Sequence, residues 1–399
     1  MNSDRVIIVG AGPVGLTAGM LLAEQDIPVL ILEAESAISD DLRASTFHPP
    51  TLDMLEPYGL AAELIAQGLI CPTWQIRMHA TGERAVFDLS LISDETAHPY
   101  RLQCEQAKLC RLLADRFSDD DRIDIQYSTK VTGISQTDQT VEVLTERVDG
   151  GAEETLTARY VIGADGAGSV VRESLGLEFK GSTYPETTVL ASTTFPFQDY
   201  IDGLSNVSYC WSEVGNFALL RLKDFWRCSL YYDPDLTFEE ATSGERIQFQ
   251  LNDVLPKPEP YEIVDVRPYR VHQRIVDTYR VGRILLAGDA AHINSPSGGM
   301  GMNGGIHDAF SLAEKLSETW RGGDDSLLDI YTRQRRLVAE SAILQQADRN
   351  RSRMAQKNPD ARARALADLQ ATTADPEKAR DYLLKSSMIA GLQMAASIN

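Results

Sequence analysis

Residues 284–303 read Ile-Leu-Leu-Ala-Gly-Asp-Ala-Ala-His-Ile-Asn-Ser-Pro-Ser-Gly-Gly-Met-Gly-Met-Asn. The apolar run at 284–287 is typical of a buried strand, and Asp289 follows it after one glycine. A turn rich in proline and glycine comes next, and the apolar-periodic stretch after it predicts a helix. A carboxylate accepts hydrogen bonds from sugar-type hydroxyls, while glycines and a helix N-terminus favour an anionic group. The stretch therefore predicts a site for a ligand with hydroxyls and an anionic end; a loop without a ligand is the alternative.

A second ligand-binding pattern lies near the N-terminus. The apolar run at 6–9 predicts a central parallel strand that enters a Gly-Ala-Gly-Pro-Val-Gly turn at 10–15. A helix and a second buried strand follow, and Glu33 comes 18 positions after the last glycine. This arrangement is typical of a dinucleotide-binding βαβ unit, in which the glycines admit a pyrophosphate and the acid holds a ribose. The pattern alone does not distinguish NAD from FAD.

The composition indicates a globular protein that does not bind nucleic acid or an anionic membrane surface. The chain has 399 residues, 43% hydrophobic and 24% charged, with a formal net charge of −20, which repels such partners. The five cysteines show no metal-ligand spacing and the six histidines are scattered, so we expect no metal. No apolar run reaches the ~18 residues of a membrane span, and no signal peptide is recognisable. These features predict a cytoplasmic protein with reduced thiols.

The pattern changes at about residues 181–273, where short runs rich in aromatic and β-branched residues predict an antiparallel layer. One helix is expected there, at 238–255. Residues 74–89 predict a hairpin. Beyond Ser326 we expect helices to the end of the chain, and we interpret the arginine-rich stretch at 349–364 as a solvated face.

Four stretches, in this order, resemble the class A flavin-dependent monooxygenases, the aromatic hydroxylases typified by para-hydroxybenzoate hydroxylase. They are the glycine fingerprint with Glu33, then Arg43-Ala44, then Asp165-Gly-x-x-Ser-x-x-Arg172, and the stretch from Gly288 to Asn303. The similarity covers about residues 6–316. It implies an α/β fold with a Rossmann-like FAD-binding domain (GR2-type), an interleaved antiparallel β-sheet substrate domain and a C-terminal helical tail.

The resemblance also divides the chain into domains. The FAD-binding domain is expected to take residues 1–73, 100–180 and 275–345. The substrate domain would take 74–99 and 181–274, and 346–399 would form the C-terminal helices. Because only one dinucleotide fingerprint is present, the family resemblance implies that NAD(P)H visits the FAD-binding domain transiently.

Cofactor-binding roles carry over from the family residue by residue. The residues expected to bind FAD, non-covalently, are Gly10, Gly12, Pro13, Val14, Gly15, Glu33, Ala34, Arg43, Gln106, Asp165, Gly288, Asp289, Pro296, Gly299, Gly301, Met302 and Asn303. Asp289 would hydrogen-bond the ribityl chain, Gln106 would touch the same region, and Arg43 would lie near the flavin and the pyrophosphate. Asp165 resembles the aspartate of a motif implicated in both FAD and NAD(P)H binding. Ala34 departs from the family, because a basic residue often stands there.

Catalytic candidates are fewer. Arg221 would hold a substrate carboxylate, although a surface ion pair is the alternative, and His272 would relay a proton from a phenol, although a structural hydrogen bond is the alternative. Pro296 and Met300 would form the wall beside the isoalloxazine. Met300 stands where glutamine is common in the family, which alters that wall.

The resemblance implies an FAD-dependent, NAD(P)H-using monooxygenase that hydroxylates an aromatic or heteroaromatic, phenol-like substrate through a flavin C4a-hydroperoxide. Its partners would be this small aromatic substrate, NADH or NADPH, and O₂, with the protein a monomer or a homodimer. A flavin-dependent reductase or dehydrogenase, and a non-catalytic flavin-binding regulatory protein, are the alternatives.

Overall fold

The computed structural model describes residues 3–39, 44–213, 215–231 and 235–398. The strands in these ranges are β1 Val6–Val9, β2 Val29–Leu32, β3 Thr46–Phe47, β4 Leu69–Cys71, β5 Thr73–Met78, β6 Arg84–Asp88, β7 Arg101–Gln103, β8 Ile123–Gln126, β9 Thr129–Gln136, β10 Val141–Arg147, β11 Glu154–Ala158, β12 Tyr160–Gly163, β13 Lys180–Thr193, β14 Val207–Trp211, β15 Phe217–Arg221, β16 Trp226–Tyr231, β17 Asp265–Ile275, β18 Arg280–Val281, β19 Ile284–Leu286 and β20 His292–Ile293.

The α-helices in the same ranges are α1 Pro13–Ala23, α2 Pro49–Leu55, α3 Leu60–Gln67, α4 Gln106–Phe117, α5 Val170–Ser174, α6 Phe238–Thr242, α7 Gly244–Val254, α8 Gly301–Trp320, α9 Leu327–Val338, α10 Gln345–Ala355, α11 Pro359–Ala374, α12 Pro376–Ser386 and α13 Ile389–Ala396. A π-helical segment, Ala339–Leu344, joins α9 to α10. None of the helices described here has both the length and the apolar character required to cross a membrane.

A six-stranded sheet in the order β18-β19-β12-β1-β2-β8 forms the centre of the fold. All its pairs are parallel except β18–β19. The central strands β1, β2 and β12 are buried at every residue, as their unbroken apolar runs predict for parallel strands covered on both faces. Because parallel strands end at one edge, Gly10, Glu33 and Ala164 come together there. This edge positions the site.

An eight-stranded sheet in the order β20-β17-β13-β16-β15-β14-β5-β6 lies on the other side of the site. Its pairs are antiparallel apart from β14–β5, so the predicted antiparallel layer is present and includes the β5–β6 hairpin. β20 follows the Gly288 turn and pairs with β17, which joins this sheet to the loop that leads into α8. Smaller sheets are formed by β11-β10-β9 and by β3-β7-β4. The fold class expected from the sequence is confirmed; the domain boundaries stay a prediction.

The C-terminal helices pack on the β5–β6 hairpin. Tyr382 of α12 stacks on Phe87 with ring centroids 4.5 Å apart, and Phe87 stacks on Trp74 at 4.3 Å. Leu366 and Leu383 are buried in the same cluster. The tail is therefore helical as expected, and it closes one side of the eight-stranded sheet.

Two local predictions were wrong. The expected single helix at 238–255 is two helices, because Ser243 is extended (ψ 141°) and its side chain caps α7 by accepting from the backbone N–H of Arg246. The arginine-rich stretch is not a solvated face throughout, since Arg362 is buried and donates to Ser212 O at 3.0 Å and to Asn216 Oδ1 at 3.1 Å. A charged side chain in a helix gives no local sign that a neighbouring sheet will bury it.

Candidate active site

A cavity of about 840 Å³ lies between the edge of the parallel sheet and the eight-stranded sheet. Its lining includes the glycine turn, the ends of β2 and β12, and the loop that leads into α8. Its far wall comes from β13 to β17 and includes Leu190, Tyr209, Leu220, Arg227 and Tyr269. One continuous space therefore joins the predicted cofactor residues to the antiparallel sheet.

The glycine turn fits a pyrophosphate. Gly10 has φ +103°, and a Cβ there would lie 2.5 Å from Ala164 O, while a Cβ on Gly15 would lie 2.0 Å from Gly10 O. Both glycines are thus required by close backbone approach, and Gly15 does not line the cavity. Gly12 differs, because a Cβ there would meet no atom of another described residue beyond its chain neighbours within 4 Å. Gly12, Pro13 and Val14 border the cavity at the start of α1, where the N-cap residue Gly12 has no side chain to cap the helix, so the helix backbone can receive an anion.

Glu33 lies at the end of β2 and borders the cavity with Ala34. Its Oε2 accepts from the backbone N–H of Ala11 at 2.7 Å, and its Oε1 accepts from that of Glu35 at 2.9 Å. These bonds fix the carboxylate beside the glycine turn. An ionised carboxylate has about four acceptor sites, so it can still bind ribose hydroxyls.

The Asp165 segment ties two loops of the cavity together. Asp165 Oδ1 accepts from Ser169 Oγ at 2.5 Å, and Ser169 Oγ accepts from the backbone N–H of Arg172 at 3.0 Å. Arg172 donates to Ala167 O at 2.9 Å and to Ala290 O at 3.2 Å, in the turn after β19. Burial raises the pKa of Asp165, although the hydrogen bond from Ser169 acts in the opposite direction and lowers this pKa. The spacing of this motif is thus explained by a local hydrogen-bond chain, with Asp165 itself at the cavity.

The loop that leads into α8 forms the middle of the cavity wall. Asp289, Pro296, Gly299, Met300, Gly301 and Met302 border the cavity. Gly299 has φ +68°, and a Cβ there would lie 2.9 Å from Thr46 Cβ. Gly288 has φ +60° and is not at the cavity; it allows the turn to pack against Val14.

Asn303 holds this loop in place. Its Oδ1 accepts from His48 N at 2.9 Å and from Thr51 Oγ1 at 2.7 Å, and its Nδ2 donates to Thr46 O at 2.7 Å and Gly299 O at 2.8 Å. These four bonds use the full capacity of an amide side chain. The structure therefore gives Asn303 a positioning role. Its amide has no free donor or acceptor with which to make the predicted contact with the cofactor.

The other predicted residues divide into three groups. Gln106 borders the cavity at the start of α4. Arg221 and His272 do not border it: Arg221 ends β15, and His272 Nδ1 is 2.9 Å from Thr183 Oγ1, so their proposed catalytic roles have no geometric support. Arg43 lies outside the described residues.

Arg227 was not predicted from the sequence. It is buried, borders the cavity, and donates through Nη1 to Ser45 Oγ at 2.9 Å. Its signal in the sequence is a charge within the apolar run Trp-Arg-Cys-Ser-Leu of β16. An alternating pattern would normally assign such a charge to solvent.

The sequence also did not predict a buried ionic cluster, which lies under the turn at Gly288. Asp308 of α8 accepts from Arg335 Nε at 2.7 Å and lies 2.8 Å from His292 Nε2, and its Oδ2 accepts from the backbone N–H of Gly288 at 3.1 Å. Burial would raise the pKa of Asp308, but Arg335 and His292 outweigh it and lower this pKa to about 2. The carboxylate is therefore ionised and fixes the turn that carries Asp289.

A glycine turn on a parallel sheet, an acid at the next strand end and a continuous cavity under an antiparallel sheet define a dinucleotide-dependent oxidoreductase. The profile of the FAD binding domain family matches residues 4–346, and the chain belongs to this family.

Relatives of this chain are named as monooxygenases. It is 35% identical over 337 residues to the 6-hydroxy-3-succinoylpyridine 3-monooxygenase HspB of Pseudomonas putida, with 84% of each chain covered. It is 32% identical over 393 residues to a para-nitrophenol 4-monooxygenase of Pseudomonas sp., covering 97% of this chain and 96% of that one. The crystal structure of p-nitrophenol 4-monooxygenase PnpA from Pseudomonas putida matches with a TM-score of 0.90 at 32% identity, covering 96% of each. The chain is an FAD-dependent aromatic monooxygenase, as the sequence indicated.

Replacing Asp289 with alanine is expected to weaken FAD binding by tenfold or more. The carboxylate is exposed within the cavity, and a ribityl hydroxyl left unpaired costs about 1–3 kcal/mol. Fluorescence titration of FAD-free protein measures the dissociation constant. Asp277→Ala is the matched control, because Asp277 pairs with Lys180 at the surface. Equal FAD affinity in both variants would show that Asp289 does not contact the cofactor.

The stability of the FAD-free protein is expected to fall as pH decreases from 6.5 to 4.5. Burial lowers the pKa of His48 and of His307 to about 3, with further lowering by Arg101 and Arg335 respectively. Below pH 6.5, the usual pKa of histidine, these two side chains bind protons in the unfolded chain but not in the folded chain. The free energy of unfolding therefore falls by up to about 1.4 kcal/mol per pH unit for each histidine. Melting temperatures across this range test it. His48→Gln should show a shallower slope, and a flat profile in the parent protein would contradict the argument.

Proposed function

We propose that this enzyme hydroxylates a single-ring phenol or hydroxypyridine, with NADH or NADPH as the reductant. The observation that carries the proposal is the continuous cavity, whose cofactor end and sheet end meet at the Pro296–Met302 loop. The names of the two relatives, which act on a nitrophenol and on a hydroxylated pyridine, support this substrate class.

Binding roles follow from the geometry. Gly12, Pro13 and Val14 would receive the pyrophosphate of FAD, Glu33 the adenosine ribose, and Asp289 the ribityl chain. Bound FAD supplies the redox chemistry. The start of α8 at Gly301 borders the cavity, so its backbone N–H groups would stabilise negative charge on the ring system.

The substrate end has an apolar wall and a few polar groups. Leu190, Ala218 and Leu220 would exclude water from the reacting ring, while Ser229 and Arg227 offer hydrogen bonds that orient it. A flat aromatic molecule lying against the Pro296–Met302 loop fits these surroundings.

The origin of the oxygen atom tests the reaction. Turnover under ¹⁸O₂ should place the label in the product, and a phenol should accelerate NAD(P)H oxidation. Label from water, or turnover without O₂, would favour the reductase or dehydrogenase alternative. Absence of any turnover by FAD-loaded protein over a panel of phenols and hydroxypyridines would favour the regulatory alternative.

FAD is expected to be released from acid-precipitated protein, because its binding is non-covalent. Among the described residues that border the cavity there is no histidine, and Cys110 is the sole thiol. Burial raises the pKa of Cys110 to about 12, with a further rise from Glu33, so this thiol is a poor nucleophile. The supernatant should be yellow and the pellet colourless. A yellow pellet would show a covalent bond.

We propose a cytoplasmic location, which the free and buried state of all five cysteines supports, since free thiols persist in reducing compartments. A monomer or a homodimer is expected, and size-exclusion chromatography with light scattering distinguishes them.

A further inference from the structure

A small second cavity adjoins the large one. Its volume is about 20 Å³, and its lining includes Trp74, Arg101, Tyr209, Gly298, Asn350 and Arg353. Tyr209 and Gly298 border both cavities. The small cavity therefore lies beside the loop and the sheet wall between which the substrate ring would sit.

Arg101, at the start of β7, is a buried cation in this cavity. Its side chain and backbone together are 3% exposed, and its guanidinium lies over the Trp74 ring with Cζ 4.8 Å from the centroid. Its Nε has no hydrogen-bond partner, and it forms no ion pair with any carboxylate in the described parts of the chain. Arginine stays charged in proteins, and a buried charge is costly unless it is paired. Cation–π contact with Trp74 offsets only part of that cost.

Arg353 of α10 brings a second guanidinium to the same cavity. It is half-buried and donates through Nη1 to Tyr382 Oη at 3.0 Å. It too has no ion pair with a carboxylate of the described residues. Two cations thus face one small space walled by Trp74 and Tyr209, and none of the described residues that line this space is an acid. This is the electrostatic character of an anion site, in which arginine binds two oxygens at once.

We propose that Arg101 and Arg353 form a subsite for a planar two-oxygen substituent of the aromatic substrate, a carboxylate or a nitro group. This inference rests on the proposed function and narrows its substrate class. A space of this size holds about one or two water-sized atoms, which suits such a substituent and leaves the ring in the large cavity. The substrate would then be a phenol or hydroxypyridine with this group directed towards Tyr209 and Trp74.

Binding of three phenols to the FAD-loaded enzyme tests the subsite. The probes are 4-hydroxybenzoate, 4-nitrophenol and 4-methylphenol, whose dissociation constants are measured by the change in flavin absorbance. Arg101→Met keeps an unbranched apolar stem and removes the guanidinium with its charge. We expect it to weaken binding of 4-hydroxybenzoate by about 30-fold or more and of 4-nitrophenol, whose nitro group is neutral, by about fivefold or more, with 4-methylphenol changed less than about twofold.

Two further variants complete the design. Arg353→Met should weaken the same two probes, by a smaller factor because Arg353 is only half-buried. Arg267→Met is the matched control, since Arg267 is exposed on β17 and pairs with Asp265, and it should change no constant. Unchanged melting temperatures establish that the variants are folded.

The outcomes are distinguishable. Unchanged binding of 4-hydroxybenzoate and 4-nitrophenol to Arg101→Met overturns the subsite, as does an equal loss for all three phenols, which would indicate general damage. If Arg227→Met alone produces the selective loss, the two-oxygen substituent is held in the large cavity and the subsite is again overturned. In each case labelled oxygen from O₂ in a phenolic product would leave the proposed function intact. If no phenol and no hydroxypyridine binds or turns over, both proposals fail.

Discussion

The Asp308→Asn variant is expected to be the least stable single substitution proposed for this enzyme, with its free energy of unfolding lowered by about 3–5 kcal/mol. Asp308 and Arg335 are both buried, and the carboxylate also binds His292 and the backbone N–H of Gly288. Removing the negative charge leaves the Arg335 guanidinium buried without compensation. Desolvation of an unpaired cation is the dominant cost.

Urea unfolding of FAD-free protein, followed by circular dichroism, measures this effect. Asp329→Asn is the matched control, because Asp329 is exposed and pairs with Arg280 at the surface, where an ion pair contributes little. The double variant with Arg335→Met should be less destabilised than the sum of the two single variants, because both charges are then removed. A midpoint for Asp308→Asn equal to that of Asp329→Asn would refute the assigned role of the cluster.

The Gly12→Ala variant is expected to fold normally and to bind FAD about 100-fold more weakly. Gly12 has φ −77°, which alanine adopts without strain, and within the described part of the chain the added methyl group would meet no atom within 4 Å apart from its chain neighbours. It would instead occupy the space where the pyrophosphate approaches the start of α1. Loss of one or two backbone hydrogen bonds to a charged phosphate, at about 1.5–3 kcal/mol each, accounts for the expected 100-fold loss of FAD affinity.

Gly244→Ala is the control for this substitution, because Gly244 is also the site of an unhindered Cβ at the start of a helix and does not border the cavity. Both variants should have the melting temperature of the parent when free of FAD, and only Gly12→Ala should lose affinity in a fluorescence titration. An affinity within threefold of the parent would mean that the pyrophosphate lies elsewhere.

The sequence by itself determined the parallel sheet, the glycine turn and the acid at the end of β2. These features are local: an unbroken apolar run, a glycine spacing and a carboxylate at a strand end are each read within about 30 residues. The sequence also indicated the antiparallel layer and the loop that leads into α8. The family resemblance added the Asp165 motif, whose hydrogen-bond chain is equally local.

Only the tertiary structure decided which charged residues are buried and which meet. Arg101, Arg227, Asp308 and Arg335 lie in strands and helices where a local pattern assigns charges to solvent. Arg101 and Arg353 come from distant parts of the chain and line the same small cavity because α10 packs beside the sheet that carries Trp74 and Tyr209. Conversely, Arg221 and His272 satisfied a chemical expectation but lie away from the cavity. Burial depends on contacts between elements far apart in sequence, and the desolvation that makes a charge functional arises only from those contacts.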